Sequence, residues 1–370
     1  MIRVLQVFAI MNRGGAENMI MNIYRKIDKS KVQFDFIVHR KNEGAFDSEI
    51  IDLGGEIFKA PQFKGSNLFQ YKKWWEDFFE SHKEYKIIHS HVRSTASIFI
   101  PIAKHNGIIS IIHSHSTSES KGIRGKIKRM LEYPLRWECD YYLGCSNLAG
   151  RWLFGDKIIN SKRYKVINNA VDLDKYLLND LIRKKYRNKF GLTNNLVFIH
   201  VGRMEKVKNH LFLLRIFKGI KKEIDTAKLL LVGDGELRED IEEYAKEQNI
   251  INDILFLGIR DDVPNLLMLA DCFLLPSKWE GIPLSAIEAQ AAGLPCFISN
   301  KVSFEVKVTE EVAFLPVDKG EKIWVSSITN SDLSRKENRS DMEKGGYDIY
   351  AVTHEMQRYY YKLLEIKNNI

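Results

Sequence analysis

Two carboxylates and two cations stand out among the residues able to do chemistry. The carboxylates are Glu280 and Glu288, in the run Glu280-Gly281-Ile282-Pro283-Leu284-Ser285-Ala286-Ile287-Glu288-Ala289. The cations are Arg203 and Lys208, in Gly202-Arg203-Met204-Glu205-Lys206-Val207-Lys208-Asn209. Pro283 suits the first position of a helix, because its missing N–H would be unpaired there and its φ is already helical. A helix beginning beside Glu280 leaves the amides of residues 282–285 free at the positive end of its dipole, which makes an anion site. Glu280 then lies in the loop before the helix and Glu288 about two turns inside it, so the two grip different parts of one elongated ligand. A carboxylate accepts well from ribose hydroxyls, and a guanidinium fork beside a compact ammonium suits a diphosphate. Gly233-Asp234-Gly235 is a tight turn that lets backbone approach a ligand closely.

The first half of the chain carries weaker signals. Asn12-Arg13-Gly14-Gly15-Ala16-Glu17 opens a helix with two glycines that bring backbone near a ligand, but lacks the G-x-G-x-x-G spacing of a dinucleotide site. Gly14 and Gly15 could also serve only a tight turn. His89-Ser90-His91 and His113-Ser114-His115 each end an expected strand, where residues two apart share a face. With no obvious partnering carboxylates, they read as hydrogen-bond donors to a sugar, and no metal is expected. Trp74, Trp75, Phe78 and Phe79 follow helical spacing and read as packing aromatics. Without a strand end before them, Arg203 and Lys208 would be ordinary surface charges.

The elements that must position these residues follow from length and patterning. A chain of 370 residues is long enough for two domains with separate cores. Its 45% hydrophobic and 28% charged residues and net charge of +8 exclude disorder, collagen and coiled coil. No apolar run approaches the roughly 20 residues of a membrane-spanning helix. Met1 is followed by the strand-like Ile2-Arg3-Val4-Leu5-Gln6-Val7-Phe8 with no signal-peptide pattern, so a cytoplasmic location is expected. Cys139, Cys145, Cys272 and Cys296 show no C-x-x-C spacing and read as buried thiols.

Strands are expected at 2–8, 32–38, 86–89, 108–113, 141–145 and 165–167, then at 196–201, 229–232, 254–257, 272–275, 296–298 and 313–315, with helical segments between them, among them 16–27, 209–224 and 236–248. That alternation implies an α/β protein of two Rossmann-like domains with parallel sheets, facing one another across a cleft. The polar stretch 171–192 interrupts the rhythm and places the boundary at 172: residues 1–172 form the first domain, completed by a carboxy-terminal helix at 347–370, and 173–346 the second.

Taken together, these residues resemble the GT-B glycosyltransferases, specifically the large retaining family 4. The E-x7-E element matches Glu280 and Glu288, the Arg and Lys pair matches Arg203 and Lys208, and the amino-terminal glycine loop matches Gly14-Gly15-Ala16-Glu17. The segment Val166-Ile167-Asn168-Asn169-Ala170-Val171-Asp172 is similar to the interdomain linker, with Ala170 where a glycine is usual. The texture is nearest to the bacterial exopolysaccharide and capsule branch. The resemblance implies that Glu288 holds the ribose of a nucleotide-sugar, UDP being the nucleotide the family suggests, and that Arg203 and Lys208 hold the diphosphate. Glu280 would approach the transferred sugar, with Gly15, Gly233 and the backbone of Gly281, Ile282, Pro283 and Leu284 around the donor. Gly14, Ala16 and Glu17 would form the acceptor-side loop. His113 matches the histidine beside the donor sugar, with His115 as the alternative two residues on. The expected partners are a nucleotide-sugar co-substrate and a saccharide or lipid-linked saccharide acceptor, with no metal or other cofactor. Configuration would be retained by front-face attack.

Acceptor choice is expected to depend on loops 41–47 and 117–125. The basic stretch 121–136, with Lys121, Arg124, Lys126, Lys128, Arg129 and Arg136 among apolar residues, could rest on anionic lipid at the inner face of a membrane, or be a solvated helix face. Two other functions stay open: an epimerase using the same double-Rossmann fold, and a basic nucleic-acid binder, which the spread of charge and the lack of a binding motif disfavour.

Overall fold

The structure, a computed structural model, describes residues 1–116 and 122–368. The chain divides into two compact units, Met1–Ala170 with Ile349–Ile370, and Val171–Asp348. These limits lie two residues from the expected 172 and 346.

The first unit is built on seven parallel strands: β1 (Ile2–Phe8), β2 (Val32–Val38), β3 (Ile57–Lys59), β4 (Ile87–Ser90), β5 (Ile109–Ser114), β6 (Tyr141–Gly144) and β7 (Tyr164–Val166). Their order is β3-β2-β1-β4-β5-β6-β7. Continuous apolar sequence explains the parallel pairing: every residue of β2 and of β5 is buried, as a sheet covered on both faces requires. The three-residue β3 was not expected. Its Ile57-Phe58-Lys59 is too short to show a period, and it forms by pairing with residues 36–38 of β2.

Two cores cover the two faces of this sheet. Val4 and Phe8 point to one, Leu5 and Val7 to the other, as strand alternation dictates. Gln6 shares the face of Val4 and Phe8 and is fully buried. That face is covered by the helices Gly15–Lys26 and Ile349–Asn368. The latter buries Ile349, Val352, Met356, Tyr360 and Leu363, an apolar stripe at helical spacing. The aromatic carboxy-terminal segment therefore finds its packing on the first sheet, beside Ile20, Ile23 and Phe34.

The second unit has six parallel strands: β8 (Leu196–Val201), β9 (Ala227–Val232), β10 (Ile254–Gly258), β11 (Cys272–Leu275), β12 (Cys296–Ser299) and β13 (Val312–Leu315), ordered β10-β9-β8-β11-β12-β13. The polar stretch 171–192 is not an open linker. It holds a 3-10 turn, Leu173–Tyr176, and a helix, Asp180–Phe190. That helix has no fully buried residue; half-buried Tyr186 and Phe190 pack on the core, and polar contacts add to them. Arg183 donates to the carbonyls of Met268, Leu269 and Ala270, and Arg187 to that of Leu269, carbonyls left unpaired at the end of the helix Val263–Leu269. Both arginines also grip Asp271, each at 2.5 Å.

In each sheet the strand order reverses once, between β1 and β4 and between β8 and β11. Loops leaving the carboxyl ends of strands diverge at such a point and leave a crevice for a ligand. The sequence places the glycine loop after β1, the first histidine pair at the end of β4, the Arg203 and Lys208 loop after β8 and the Glu280 loop after β11. All four flank a reversal. All four cysteines are buried, and no helix among the described residues is long and apolar enough to cross a membrane.

Candidate active site

In the second unit, the loops after β8 and β11 are tied together. Lys278 N donates to Val207 O at 2.8 Å, and Asn209 Nδ2 to Pro276 O at 3.0 Å. Asn209 takes a left-handed backbone, φ 60°, a conformation asparagine tolerates better than most residues. Lys208 Nζ lies 2.7 Å from Glu280 Oε2, with both side chains about 15% exposed. Ser277 Oγ donates to the other oxygen, Glu280 Oε1, at 2.5 Å. The two expected cations therefore have different partners: Lys208 is paired with Glu280, while Arg203 is 76% exposed and meets Glu205 at 2.6 Å. An exposed pair of that kind is weak and easily exchanged for another anion.

The helix after this loop is Leu284–Ala291, and Pro283 (ψ 125°) is its cap rather than its first helical residue. The helix begins one residue later than expected, because Pro283 keeps an extended ψ while its carbonyl accepts from Ala286 N. Among the described residues, the amides of Gly281, Ile282, Leu284 and Ser285 donate to no acceptor. They surround the positive end of the helix, where an anion is favoured.

Glu288 is partly buried, and Tyr176 Oη donates to its Oε1 at 2.9 Å. Burial pushes its carboxyl up to about 7, against the pull of the Tyr176 hydrogen bond. A carboxyl kept from water and given one donor is ready to accept further hydroxyl donors. Tyr176 and Ser277 escaped the sequence reading, because an isolated Tyr in a polar stretch and a Ser in a turn carry no spacing signal.

Gly233 has a structural reason of its own: its φ is 130°, and a Cβ there would lie 2.1 Å from Gly202 O, so it permits close approach to the backbone of the β8 loop. Gly235 likewise faces the Met204 backbone. His200 and His210, which the sequence did not single out, lie beneath the Lys208 loop with ring centroids 4.8 Å apart. His200 Nδ1 is 2.8 Å from Leu274 O, while His200 Nε2 and both nitrogens of His210 are buried without a partner among the described residues. Burial holds both rings below the usual imidazole range, His210 at about 4.

In the first unit, Gly14 caps the helix Gly15–Lys26. Ala16 and Glu17 lie in its first turn, and Glu17 folds back over Gly14, leaving 2.2 Å for any Cβ there. Gly15 is open, with nothing near its Cβ position. Asn12 Oδ1 accepts from Ala45 N at 3.0 Å, which joins the expected acceptor loop 41–47 to the glycine loop. Residues 117–121 of the other acceptor loop, and with them Lys121, lie outside the described residues, as does the Arg124 side chain.

The four strand-end histidines, expected as hydrogen-bond donors to a sugar, also face one another. β4 and β5 are neighbours, so the pairs adjoin: His89 Nε2 lies 3.2 Å from His113 Nδ1, and His91 Nδ1 lies 2.7 Å from His115 Nε2. Burial holds all four below the usual range, with their mutual repulsion adding for His89, His91 and His113 and the charge of Arg93 for His115. His113 Nε2 and His115 Nδ1 are buried without a partner among the described residues. Nitrogens of His89, His91 and His113 all come within 4.8 Å of one another, close enough to raise the question of a metal. The ring geometry speaks for hydrogen bonding. The His89 and His113 rings are 6° from coplanar with centroids 5.3 Å apart, a separation exceeding their N–N distance by almost two ring radii. The rings therefore meet edge to edge, one lone pair aimed at the other ring's N–H, the arrangement of an N–H···N hydrogen bond.

Comparison with known proteins follows the same division. Residues 13–175 match the family model described as glycosyltransferase family 4, and residues 182–346 that of glycosyl transferases group 1. EpsF of Bacillus subtilis, which bears a glycosyltransferase name, is 34% identical over 356 residues, covering 94% of this chain and 93% of EpsF. CapH of Staphylococcus aureus, named for glycosyl transfer in capsular polysaccharide biosynthesis, is 27% identical over 97% of this chain and 99% of CapH. Among solved structures, HepE of Anabaena in complex with UDP has a TM-score of 0.79 at 17% identity, covering 98% of this chain and all of HepE. That likeness shows a shared fold.

Proposed function

Because the chain belongs to the glycosyltransferases of group 1 and family 4, we propose that it transfers a sugar, with retention of configuration, from a UDP-sugar to a saccharide or lipid-linked saccharide during bacterial exopolysaccharide or capsule synthesis. The observation that carries this proposal is the anion cradle at the β8/β11 reversal: Lys208 fixed on Glu280, the unpaired amides of residues 281, 282, 284 and 285, and Glu288 one helix turn beyond. The UDP assignment draws support from HepE, solved with UDP, and the pathway from the name of CapH.

In this assignment Glu288 accepts from the ribose hydroxyls, and Lys208 with exposed Arg203 faces the diphosphate. Glu280 and the amides of Gly281, Ile282 and Leu284 meet the transferred sugar and its neighbouring phosphate. As the bond between the anomeric carbon and the phosphate oxygen breaks, negative charge grows on the departing diphosphate. Fixed cations and amides aimed there stabilise the transition state more than the ground state, and no divalent ion is needed for that role. The acceptor oxygen bonds the same face of the anomeric carbon, and its proton passes to the departing phosphate oxygen. By the family resemblance His113, or His115, is the histidine that binds a sugar hydroxyl.

The test is thermal stabilisation by a panel of nucleotide-sugars. A ligand at about a hundred times its Kd should add roughly 2.7 kcal/mol, for one nucleotide series only, and Glu288→Ala or Lys208→Ala should abolish it. Silence across the panel would overturn the assignment. Turnover of the donor without any acceptor would favour an epimerase instead.

The same proposal includes contact with an anionic membrane. On the helix Gly122–Glu132 and just beyond it, Met130 is 71% exposed and Trp137 61%, with Ile127 and Tyr133 also exposed beside exposed Lys126 and Lys128. Arg129 and Arg136 are drawn inward, Arg129 over Trp152 and Arg136 over Tyr133 and onto Leu153 O, so the patch carries fewer outward charges than its sequence suggests. Exposed aromatics beside lysines suit the headgroup region. Flotation with anionic vesicles should show salt-sensitive binding that Met130→Ser with Trp137→Ser removes; no flotation would refute the membrane contact.

A further inference from the structure

The four histidines are joined to a single amide. Gln6 Nε2 donates to Tyr360 Oη at 3.3 Å, and Gln6 Oε1 lies 2.9 Å from His91 Nε2. Tyr360 Oη lies 2.8 Å from His89 Nδ1. Two chains therefore leave Gln6, one running through Tyr360 and His89 to His113, the other through His91 to His115. Each link needs one donor and one acceptor, and a neutral imidazole offers one of each. Starting from the amide oxygen, His91 donates from Nε2 and accepts at Nδ1, so His115 donates from Nε2 and keeps a lone pair on Nδ1. Starting from the amide nitrogen, Tyr360 accepts from Gln6 and donates to His89 Nδ1. His89 then donates from Nε2 to His113 Nδ1, and His113 keeps an N–H on Nε2.

We propose that Gln6 and Tyr360 are positioning residues that set all four histidines in one tautomer, Nε2–H, so that the two loose ends form a matched pair: a donor at His113 Nε2 and an acceptor at His115 Nδ1. Turning the amide over would reverse every link and give four Nδ1–H tautomers, with the ends exchanged but still opposite. The two end rings stack with centroids 4.2 Å apart. Among the groups a saccharide ligand offers, the one that accepts from one and donates to the other is a hydroxyl; a carboxylate or phosphate oxygen supplies no proton, and an ammonium no lone pair. The pair is therefore built for a sugar hydroxyl, which rests on the sugar-transfer assignment above. Each buried nitrogen left unpaired costs about 1–3 kcal/mol, which a hydroxyl bridging the two ends would recover.

The tautomers themselves test this without any ligand. Long-range proton–nitrogen correlation spectra of the full chain carrying labelled histidine, assigned by single His→Asn substitutions, should show His89, His91, His113 and His115 neutral and in the same tautomer. A mixture of tautomers overturns the proposal. Tyr360→Phe should release His89 and His113 into a tautomer average while His91 and His115 stay fixed, and Gln6→Met should release all four. Spectra unchanged in both variants would also overturn it. In turnover, both variants should lower kcat roughly 10–100-fold with KM for the UDP-sugar within about twofold, whereas a loss confined to KM or to thermal stability would refute the positioning role. Because the tautomer measurement uses no substrate, its failure is distinct from failure of the sugar-transfer assignment.

Discussion

Replacing Glu288 with glutamine should flatten the pH dependence of donor binding. The carboxyl sits at about 7 because it is buried, so its ionised fraction falls from about nine-tenths at pH 8 to about one-tenth at pH 6. Ribose hydroxyls favour the charged form and should pull the bound carboxyl below 6. Affinity should then weaken about tenfold across those two pH units, or ~1.4 kcal/mol. The ligand must be an intact nucleotide-sugar, because the terminal phosphate of a free nucleoside diphosphate titrates near 6 on its own account. Titration calorimetry at pH 6, 7 and 8 should show the slope for the native chain and none for Glu288→Gln, whose affinity the native value should approach only below pH 6. Stability should move the other way. A carboxyl raised above its unfolded value holds its proton more tightly when folded, so folding loses stability as pH climbs from about 4.5 through 7. Glu288→Gln should therefore raise Tm at pH 8 and leave it unchanged at pH 4. Equal slopes in the two proteins, or no gain in Tm at pH 8, would refute the reasoning.

Lys208→Met strands Glu280 in a half-dry loop and should lower unfolding stability by on the order of 2–4 kcal/mol in urea titrations. Adding Glu280→Gln should restore most of that loss without restoring nucleotide binding. Gly233→Ala meets both a positive φ and the Gly202 carbonyl, so roughly 3 kcal/mol should be lost, read as a lower denaturant midpoint rather than as weaker donor affinity alone. Asp271→Ala leaves Arg183 and Arg187 without their shared carboxylate and should destabilise by about 3 kcal/mol. Proteolysis should then nick the helix Asp180–Phe190 early.

Long apolar runs were legible because burial on both faces leaves no other composition possible. β1, β2, β8 and β11 have the bounds the residue pattern predicts. The helix Asp180–Phe190 was hard to read because charged and polar residues fill most of it, leaving only the thin stripe of Ile182, Tyr186 and Phe190, while arginine forks on carbonyls supply contacts that have no hydrophobic period. In the site, the spacing of Glu280 and Glu288 and the place of Lys208 after a strand could be read, because each needs only local sequence. The Lys208–Glu280 ion pair spans 72 residues and the Tyr176–Glu288 bond 112, and both depend on which strands become neighbours. The histidine pairs were visible as pairs, but their adjacency follows from β4 lying beside β5, and Gln6 looked like an ordinary polar residue inside an apolar strand.

Tyr360, the anchor of the histidine chains, lies in the helix that returns to the first unit after the whole of the second has been made. Ribosomes add about 5–20 residues per second, so the first sheet waits roughly ten to forty seconds for this helix, with Val4, Phe8 and Phe34 exposed along one face. A nascent chain released before residue 349 would carry a finished second unit and a first unit with an open apolar face. Such a product would be a natural client for chaperones and proteases, and its histidines would have lost the hydroxyl that orients them. The histidine network is thus completed only after the whole of the second unit has been made.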